Sequence, residues 1–151
     1  MTRLILAAAA VATLLTALPA AAQFQKPEDA VKYRKGAFTV MGAHFGRIGA
    51  MAQGRAPYDA AVAIANAEIV EDMAKLPFAG LVEGTSGTEK GTPKATIWTE
   101  RAKFDEGAKK LQDETVKLVA AAKTNNLDQL KTAFGNTAGT CKSCHDNYRN
   151  Q

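Results

Sequence analysis

Three residues near the C-terminus have reactive side chains at a spacing that one face of a helix can bring together. Cys141, Cys144 and His145 lie within the pentapeptide CKSCH, which has the CxxCH pattern of c-type haem attachment. Each thiol of such a pair can add to one vinyl group of haem and form a thioether. Positions i, i+3 and i+4 of a helix share one face, so both sulfurs and the imidazole can point at one macrocycle. The imidazole of His145 can then serve as the axial ligand of the iron.

Other chemistries of the same residues have less support in the sequence. A thioredoxin-like CxxC pair normally accompanies a βαβ pattern, and no strand-like alternation occurs in this chain. A structural zinc site usually needs four ligands, and His44 is the only further residue of the Cys/His type. No paired general acid and base stands near the motif, so an enzymatic role gains no support. Haem uses both cysteines, and no disulfide is expected.

The N-terminal 22 residues have the composition of an export signal. Arg3 supplies a positive start, an almost wholly apolar run follows as far as Leu18, and Pro19 interrupts it. The run ends in Ala20-Ala21-Ala22, which provides the A-x-A pattern of signal peptidase sites. Cleavage there would leave a mature domain, 23–151, that starts at Gln23. An uncleaved membrane anchor is the alternative, although the apolar run is shorter than the roughly 20 residues that span a bilayer. The style of the signal predicts a bacterial periplasm.

Length, composition and charge narrow the remaining possibilities. The 151 residues suit one domain with its own core. Only 7% of the residues are aromatic and alanine supplies much of the aliphatic content, which favours helices over a β-rich fold. The net charge of +4 is spread along the chain without a block of lysines and arginines, so we expect no nucleic-acid partner. Nothing after the signal is apolar enough to span a membrane.

Apolar periodicity and breaker residues predict four helices in the mature chain. The first begins at Pro27, and the others span about 58–76, 95–123 and 127–148, with a non-helical loop over 78–94. Asn126 is expected to cap the last helix. An antiparallel four-helix bundle is the fold that such helices form. The stripe on the first helix comprises Val31, Arg34, Phe38, Met41, Phe45 and Ile48, and that on the second comprises Val62, Ala65, Ile69, Met73 and Leu76.

The whole of residues 23–151 resembles the class II cytochromes c, and specifically the cytochrome c′ family. The resemblance includes the opening QFQKPEDAVKYRKGAF, HFGR at 44–47, the glycine-rich loop before Ile97-Trp98, and the ending CKSCHDNYR. It implies one covalent haem c per chain inside a four-helix bundle, with Cys141 and Cys144 as thioether sites and His145 as the axial ligand. Family iron is usually five-coordinate and high-spin.

The resemblance also suggests which residues line the haem pocket. It implies that Phe38 occupies the distal position, where the family often has leucine; alternatively Phe38 is only a core residue. Met41 is the rival, because low-spin relatives use a methionine of this helix as sixth ligand. Arg34 interrupts the apolar stripe and could pair with the haem propionates, or its side chain could extend to solvent at the bundle edge. Arg149, four residues after His145, is expected on the same helix face, near the imidazole or pairing with the helix dipole.

These residues predict a protein that binds small gases, chiefly nitric oxide and carbon monoxide, and that can transfer electrons. The alternative is a low-spin, six-coordinate electron carrier with Met41 on the iron. His44 should face away from the haem, on the surface or in a helix contact. The family commonly forms homodimers through the first two helices, and Gly42, Gly46, Gly49 and Ala50 would permit close helix contact. Electron transfer implies a redox partner.

Overall fold

The structure, a computed structural model, describes residues 23–151. The predicted signal segment, residues 1–22, lies outside the described residues. A short 3₁₀ helix, Pro77–Gly80, lies in the long connection after the second helix. The α-helices in chain order are α1 (Pro27–Ala52), α2 (Ala60–Met73), α3 (Thr96–Thr99), α4 (Arg101–Lys123) and α5 (Leu127–Tyr148).

The four long helices pack in a closed ring. α1 packs on α2, α2 on α4, α4 on α5, and α5 returns to α1. Short turns join α1 to α2 and α4 to α5, so these pairs run antiparallel. This arrangement confirms the predicted all-α four-helix bundle. The residues at its centre are aliphatic and fully buried: Ile48, Leu118, Ala122 and Leu130.

Local signals set the ends of the helices. Pro27 begins α1, and Glu28 and Asp29 lie beside the positive end of its dipole. The carboxylate of Asp59 accepts a 2.9 Å hydrogen bond from the Val62 amide at the start of α2. The side chain of Asn126 accepts bonds of 2.9 and 3.1 Å from the first amides of α5, which confirms the predicted cap.

The prediction for the buried face of α2 was wrong. Val62 is 45% exposed and Leu76 is 36% exposed, whereas Ala63, Ala67 and Val70 are buried. The burial stripe is therefore shifted by about one position from the larger apolar residues. Small alanines allow α2 to approach its neighbours closely, and the larger side chains remain on the outer face.

Two predictions for the middle of the chain also need correction. The start of the loop over 78–94 is not free of helix, because Pro77 begins the 3₁₀ helix that extends to Gly80. The predicted helix over 95–123 is interrupted at Glu100, whose φ and ψ of −115° and 33° are not helical, so a short α3 precedes α4. The only extended pairing in the described residues is an isolated bridge between Pro93 and Arg149.

One of the glycines expected at a dimer contact serves the bundle itself. Gly49 is buried, and a Cβ atom there would lie 2.8 Å from Cζ of Phe134 on α5. The Phe134 ring in turn stacks on Phe45 with centroids 4.5 Å apart. Gly49 thus lets α1 and α5 approach each other within one chain. Gly46, one turn earlier, is exposed and has no atom within 4 Å of such a Cβ. None of the helices within 23–151 is long and apolar enough to cross a membrane.

Candidate haem site

The last two turns of α5 carry the CxxCH residues. Cys141, Cys144 and His145 are each half-buried, and all three line one cavity of about 1250 Å³. No disulfide joins the two cysteines. Burial raises the pKa of both thiols, and the neighbouring Cys141 raises that of Cys144 further. The helix thus presents two thiols and an imidazole to one space, as the sequence spacing predicted.

The cavity lies between the helices and the long connection. It is larger than the roughly 300–1,000 Å³ of ordinary small-molecule pockets. Its walls come from all five α-helices and from the connection between α2 and α3. The apolar side chains among them include Phe38, Met41, Phe45, Val70, Phe78, Leu81, Ile97, Phe104, Ala108 and Leu111.

Arg34 is buried at the cavity wall, where its side chain is only 5% exposed. Its guanidinium donates hydrogen bonds of 3.0 Å to the Gly80 carbonyl and 2.7 Å to the Thr85 carbonyl, and one of 2.5 Å to Thr85 Oγ1. Burial lowers its pKa. No carboxylate pairs with Arg34 in the described part of the chain. The burial excludes the alternative that its side chain extends to solvent at the bundle edge.

The two rival residues of α1 both line the cavity but differ in exposure. Phe38 is 36% exposed, whereas Met41 is 8% exposed and packs in the main core cluster. The Phe38 ring meets Phe78 edge-to-face, with centroids 6.1 Å apart. Phe78 meets Phe104 in the same way at 6.0 Å. One aromatic neighbour, Phe78, therefore contacts Phe38 from the side, while part of the surface of Phe38 remains accessible.

Arg149 lines the cavity from the C-terminal end of α5. Arg149 is the C-cap of α5, and its amide donates a 3.2 Å bond to the His145 carbonyl, but its φ of −118° and ψ of 135° are extended, so the helix itself ends at Tyr148. Its Nε atom is buried without a hydrogen-bond partner. The pKa of His145 is lowered by burial and by the charge of Arg149, while Asp146 acts in the opposite direction.

His44 does not line the cavity. Its Nδ1 lies 2.8 Å from Oδ1 of Asn66, which is buried on α2. Asn66 also donates a 2.7 Å bond to the Val62 carbonyl. His44 therefore joins α1 to α2, in agreement with the helix contact that we expected.

Sequence reasoning missed the contribution of the connection between α2 and α3. Thr85 holds Arg34, and its hydroxyl donates a 2.6 Å bond to the Val82 carbonyl. Leu81 and Phe78 add apolar wall. In the sequence, the loop was recognisable only by its spaced glycines. No local pattern indicates which of its polar side chains points into the protein.

The cavity fits a large apolar group that carries anionic substituents. Its wall is mainly apolar. Arg34 is a buried cation without a carboxylate partner in residues 23–151, and the buried Nε–H of Arg149 has no hydrogen-bond acceptor. Two thiols lie at the same wall. No group of three or more His, Cys, Asp or Glu side chains that could hold a metal ion occurs among the described residues, so the zinc alternative lacks a ligand set there.

Comparisons with known proteins agree with this geometry. The family model described as Cytochrome C′ matches residues 29–149. The chain is 47% identical over 127 residues to cytochrome c′ of Alcaligenes xylosoxydans xylosoxydans, covering 84% of this chain and 98% of that protein. The chain belongs to the cytochrome c′ family. Its cofactor is covalently attached haem c.

Solved structures of cytochrome c′ share the fold. The crystal structure from Rubrivivax gelatinosus has a TM-score of 0.78 and 45% identity, and the match covers 84% of this chain and 99% of that one. The nitric oxide complex of a leucine-to-alanine variant from Alcaligenes xylosoxidans has a TM-score of 0.79 and 46% identity. That match covers 85% of this chain and 99% of the other.

Proposed function

We propose that this cytochrome c′ family member is an exported haem protein that binds nitric oxide and carbon monoxide at a five-coordinate, high-spin iron and can also transfer electrons. When bound, haem supplies a ligand-binding iron and a one-electron redox couple. Cys141 and Cys144 hold it through thioethers, and His145 is the axial ligand. Arg34 pairs with the propionates. A binding and redox role accounts for these residues without an enzymatic reaction.

The observation that carries the proposal is the position of Phe38. Its ring lines the cavity shared by the CxxCH residues, and more than a third of its surface is accessible. A phenyl ring cannot ligate iron and donates no hydrogen bond. It disfavours oxygen, whose bound form gains from a donor, and admits small uncharged ligands when it rotates aside. The nitric oxide complex of the Alcaligenes relative supports this choice of ligand.

The spectrum of the ferric holoprotein tests the proposal. An open site gives a high-spin spectrum. A low-spin spectrum with the near-infrared sulfur-to-iron charge-transfer band would overturn the five-coordinate assignment and favour Met41 as sixth ligand. Met41 also lines the cavity, so it is the methionine that this alternative would place on the iron.

Two variants of α1 distinguish the alternatives further. If Phe38 covers the iron, Phe38→Ala accelerates carbon monoxide binding while Met41→Leu leaves the spin state unchanged. If Met41 is the ligand, Met41→Leu converts a low-spin iron to high-spin. Leucine preserves the volume of methionine, so packing is little affected. Cys141→Ala should leave a single thioether, which mass spectrometry of the holoprotein measures.

We propose that the protein is a homodimer through α1 and α2. Apolar residues are exposed on both helices, with Val40 at 43% and Val62 at 45%, and Gly46 has open space around it. Val62→Lys should lower the molar mass measured by light scattering after size exclusion. Val116→Lys is the matched control, because Val116 is 53% exposed on α4. A mass that Val62→Lys leaves unchanged would contradict this interface.

Export to the periplasm is the remaining part of the proposal. It rests on the signal pattern of residues 1–22 and on the haem attachment motif, because attachment requires an apocytochrome that has been exported across a membrane with its thiols reduced. Mass spectrometry of the protein from a periplasmic fraction should find Gln23 as the first residue. A retained N-terminal segment would favour the membrane anchor.

A further inference from the structure

The C-terminal tail after α5 is joined to the loop before α3 by a set of hydrogen bonds, and residues of both segments line the cavity. We call residues 87–94 and 149–150 together the tail clasp. The backbone N–H of Asn150 donates to the Thr92 carbonyl at 2.9 Å, and the backbone N–H of Gly91 donates to the backbone carbonyl of Asn150 at 2.8 Å. The Lys94 amide adds a 2.9 Å bond to the Tyr148 carbonyl. These bonds account for the extended backbone of Arg149.

The side chain of Asn150 closes the clasp. Its Nδ2 donates a 2.7 Å bond to the Gly87 carbonyl and a 2.9 Å bond to Thr92 Oγ1. Asn150 is therefore bound through its backbone and its side chain to the same loop, more than 55 residues away in sequence. The loop is itself shaped for this contact, because Gly91 has a φ of +83°, which a glycine adopts without strain.

We propose that Asn150 is a positioning residue that holds Arg149 against the cavity beside His145. Arg149 is the last residue whose backbone N–H is bonded to α5, at the His145 carbonyl, and its extended φ and ψ turn the chain away from the helix axis, so α5 alone does not fix the direction of its side chain. The buried Nε of Arg149 has no hydrogen-bond partner to hold it. Its two neighbours in sequence are hydrogen-bonded to the loop instead. The Tyr148 carbonyl accepts a bond from the Lys94 amide. Asn150 is bonded to Gly87, Gly91 and Thr92. The inference rests on the proposed function in one respect, namely that His145 is the axial ligand.

Hydrogen exchange of the ferric holoprotein tests the clasp directly. Asn150→Ala removes both side-chain bonds, and exchange of the Gly91 and Lys94 amides should accelerate about 5- to 30-fold, as expected for one or two lost hydrogen bonds. Asn150→Asp retains the size but not the donor and should act similarly. Asn147→Ala is the control, because its Nδ2 bonds only within α5, to the Ser143 carbonyl at 3.0 Å. Unchanged exchange in Asn150→Ala would overturn the proposal.

The reduction potential tests whether Asn150 acts through Arg149. Removal of a cation near the iron disfavours the electron-rich ferrous state, so Arg149→Ala should lower the potential. Asn150→Ala should lower it in the same direction, and the double variant should match Arg149→Ala alone. A potential that Asn150→Ala leaves unchanged, or one that falls additively in the double variant, would overturn the positioning role. If the wild-type holoprotein does not bind nitric oxide, the proposed function is refuted. That result would leave the amide exchange and the reduction potentials of the Asn150 variants unaffected as tests of the clasp.

Discussion

Replacement of Gly49 by alanine should destabilise the bundle, although alanine is the better helix former. In an open helix interior, glycine to alanine gains about 1 kcal/mol. At Gly49 the new Cβ would lie 2.8 Å from Cζ and 3.0 Å from Cε2 of Phe134. Overpacking of this kind costs about 1–3 kcal/mol. The Phe134 ring has little room to yield, because it stacks on Phe45 at 4.5 Å.

Gly46→Ala provides the matched control on the same helix. Nothing lies within 4 Å of its added Cβ, so only the gain in helix propensity applies. That gain cancels when the two variants are compared, and Gly49→Ala should be less stable than Gly46→Ala by the overpacking cost alone, about 1–3 kcal/mol. Equilibrium unfolding of the ferric holoprotein in denaturant, followed by far-ultraviolet circular dichroism, measures the difference.

The design separates steric conflict from other effects. Measurement at several protein concentrations controls for any contribution of Gly46 to a dimer. Gly49→Ala combined with Phe134→Leu should recover part of the loss, since the smaller side chain makes space for the methyl group. Equal stability of Gly46→Ala and Gly49→Ala would refute the close contact between α1 and α5.

Three further substitutions probe the surroundings of Arg34 and one helix end. Gly80→Ala should destabilise the holoprotein by about 1–3 kcal/mol in thermal unfolding, because the Cβ would lie 2.6 Å from the Ala30 carbonyl oxygen, which is backbone and cannot rotate away. Arg34→Met should cost about 1–3 kcal/mol in the same assay by leaving the Thr85 and Gly80 carbonyls without their donor, and should also accelerate amide exchange in the loop. Asn126→Ala should cost about 1 kcal/mol in denaturant unfolding through loss of the α5 cap.

Short-range patterns were enough to predict most of the bundle. Pro27 and Asn126 mark helix starts through chemistry that acts within one turn, so their predictions were confirmed. The buried face of α2 was not predictable in this way. Large apolar residues suggested Val62 and Leu76, but close helix packing selected the alanines, and that choice depends on the shapes of α1 and α4.

In the candidate site, too, only the residues placed by local helix geometry were predictable from the sequence. The spacing of Cys141, Cys144 and His145 predicted a shared face, because helix geometry alone brings residues three and four apart together. The same rule does not fix the direction of the Arg149 side chain, since α5 ends at Tyr148 and the backbone of Arg149 is extended. Its position depends on bonds to a loop distant in sequence, which no local pattern contains.

The amino-acid sequence by itself determined the helices, the haem attachment motif and the family resemblance, because each depends on neighbours within a few residues or on a specific short pattern. The tertiary structure decided what surrounds that motif. Arg34 became a buried cation by bonding to Gly80 and Thr85, and Arg149 reached the cavity through the tail clasp. The physical reason is that burial and hydrogen bonding of a charged side chain require partners from elsewhere in the chain, and only folding brings them into contact.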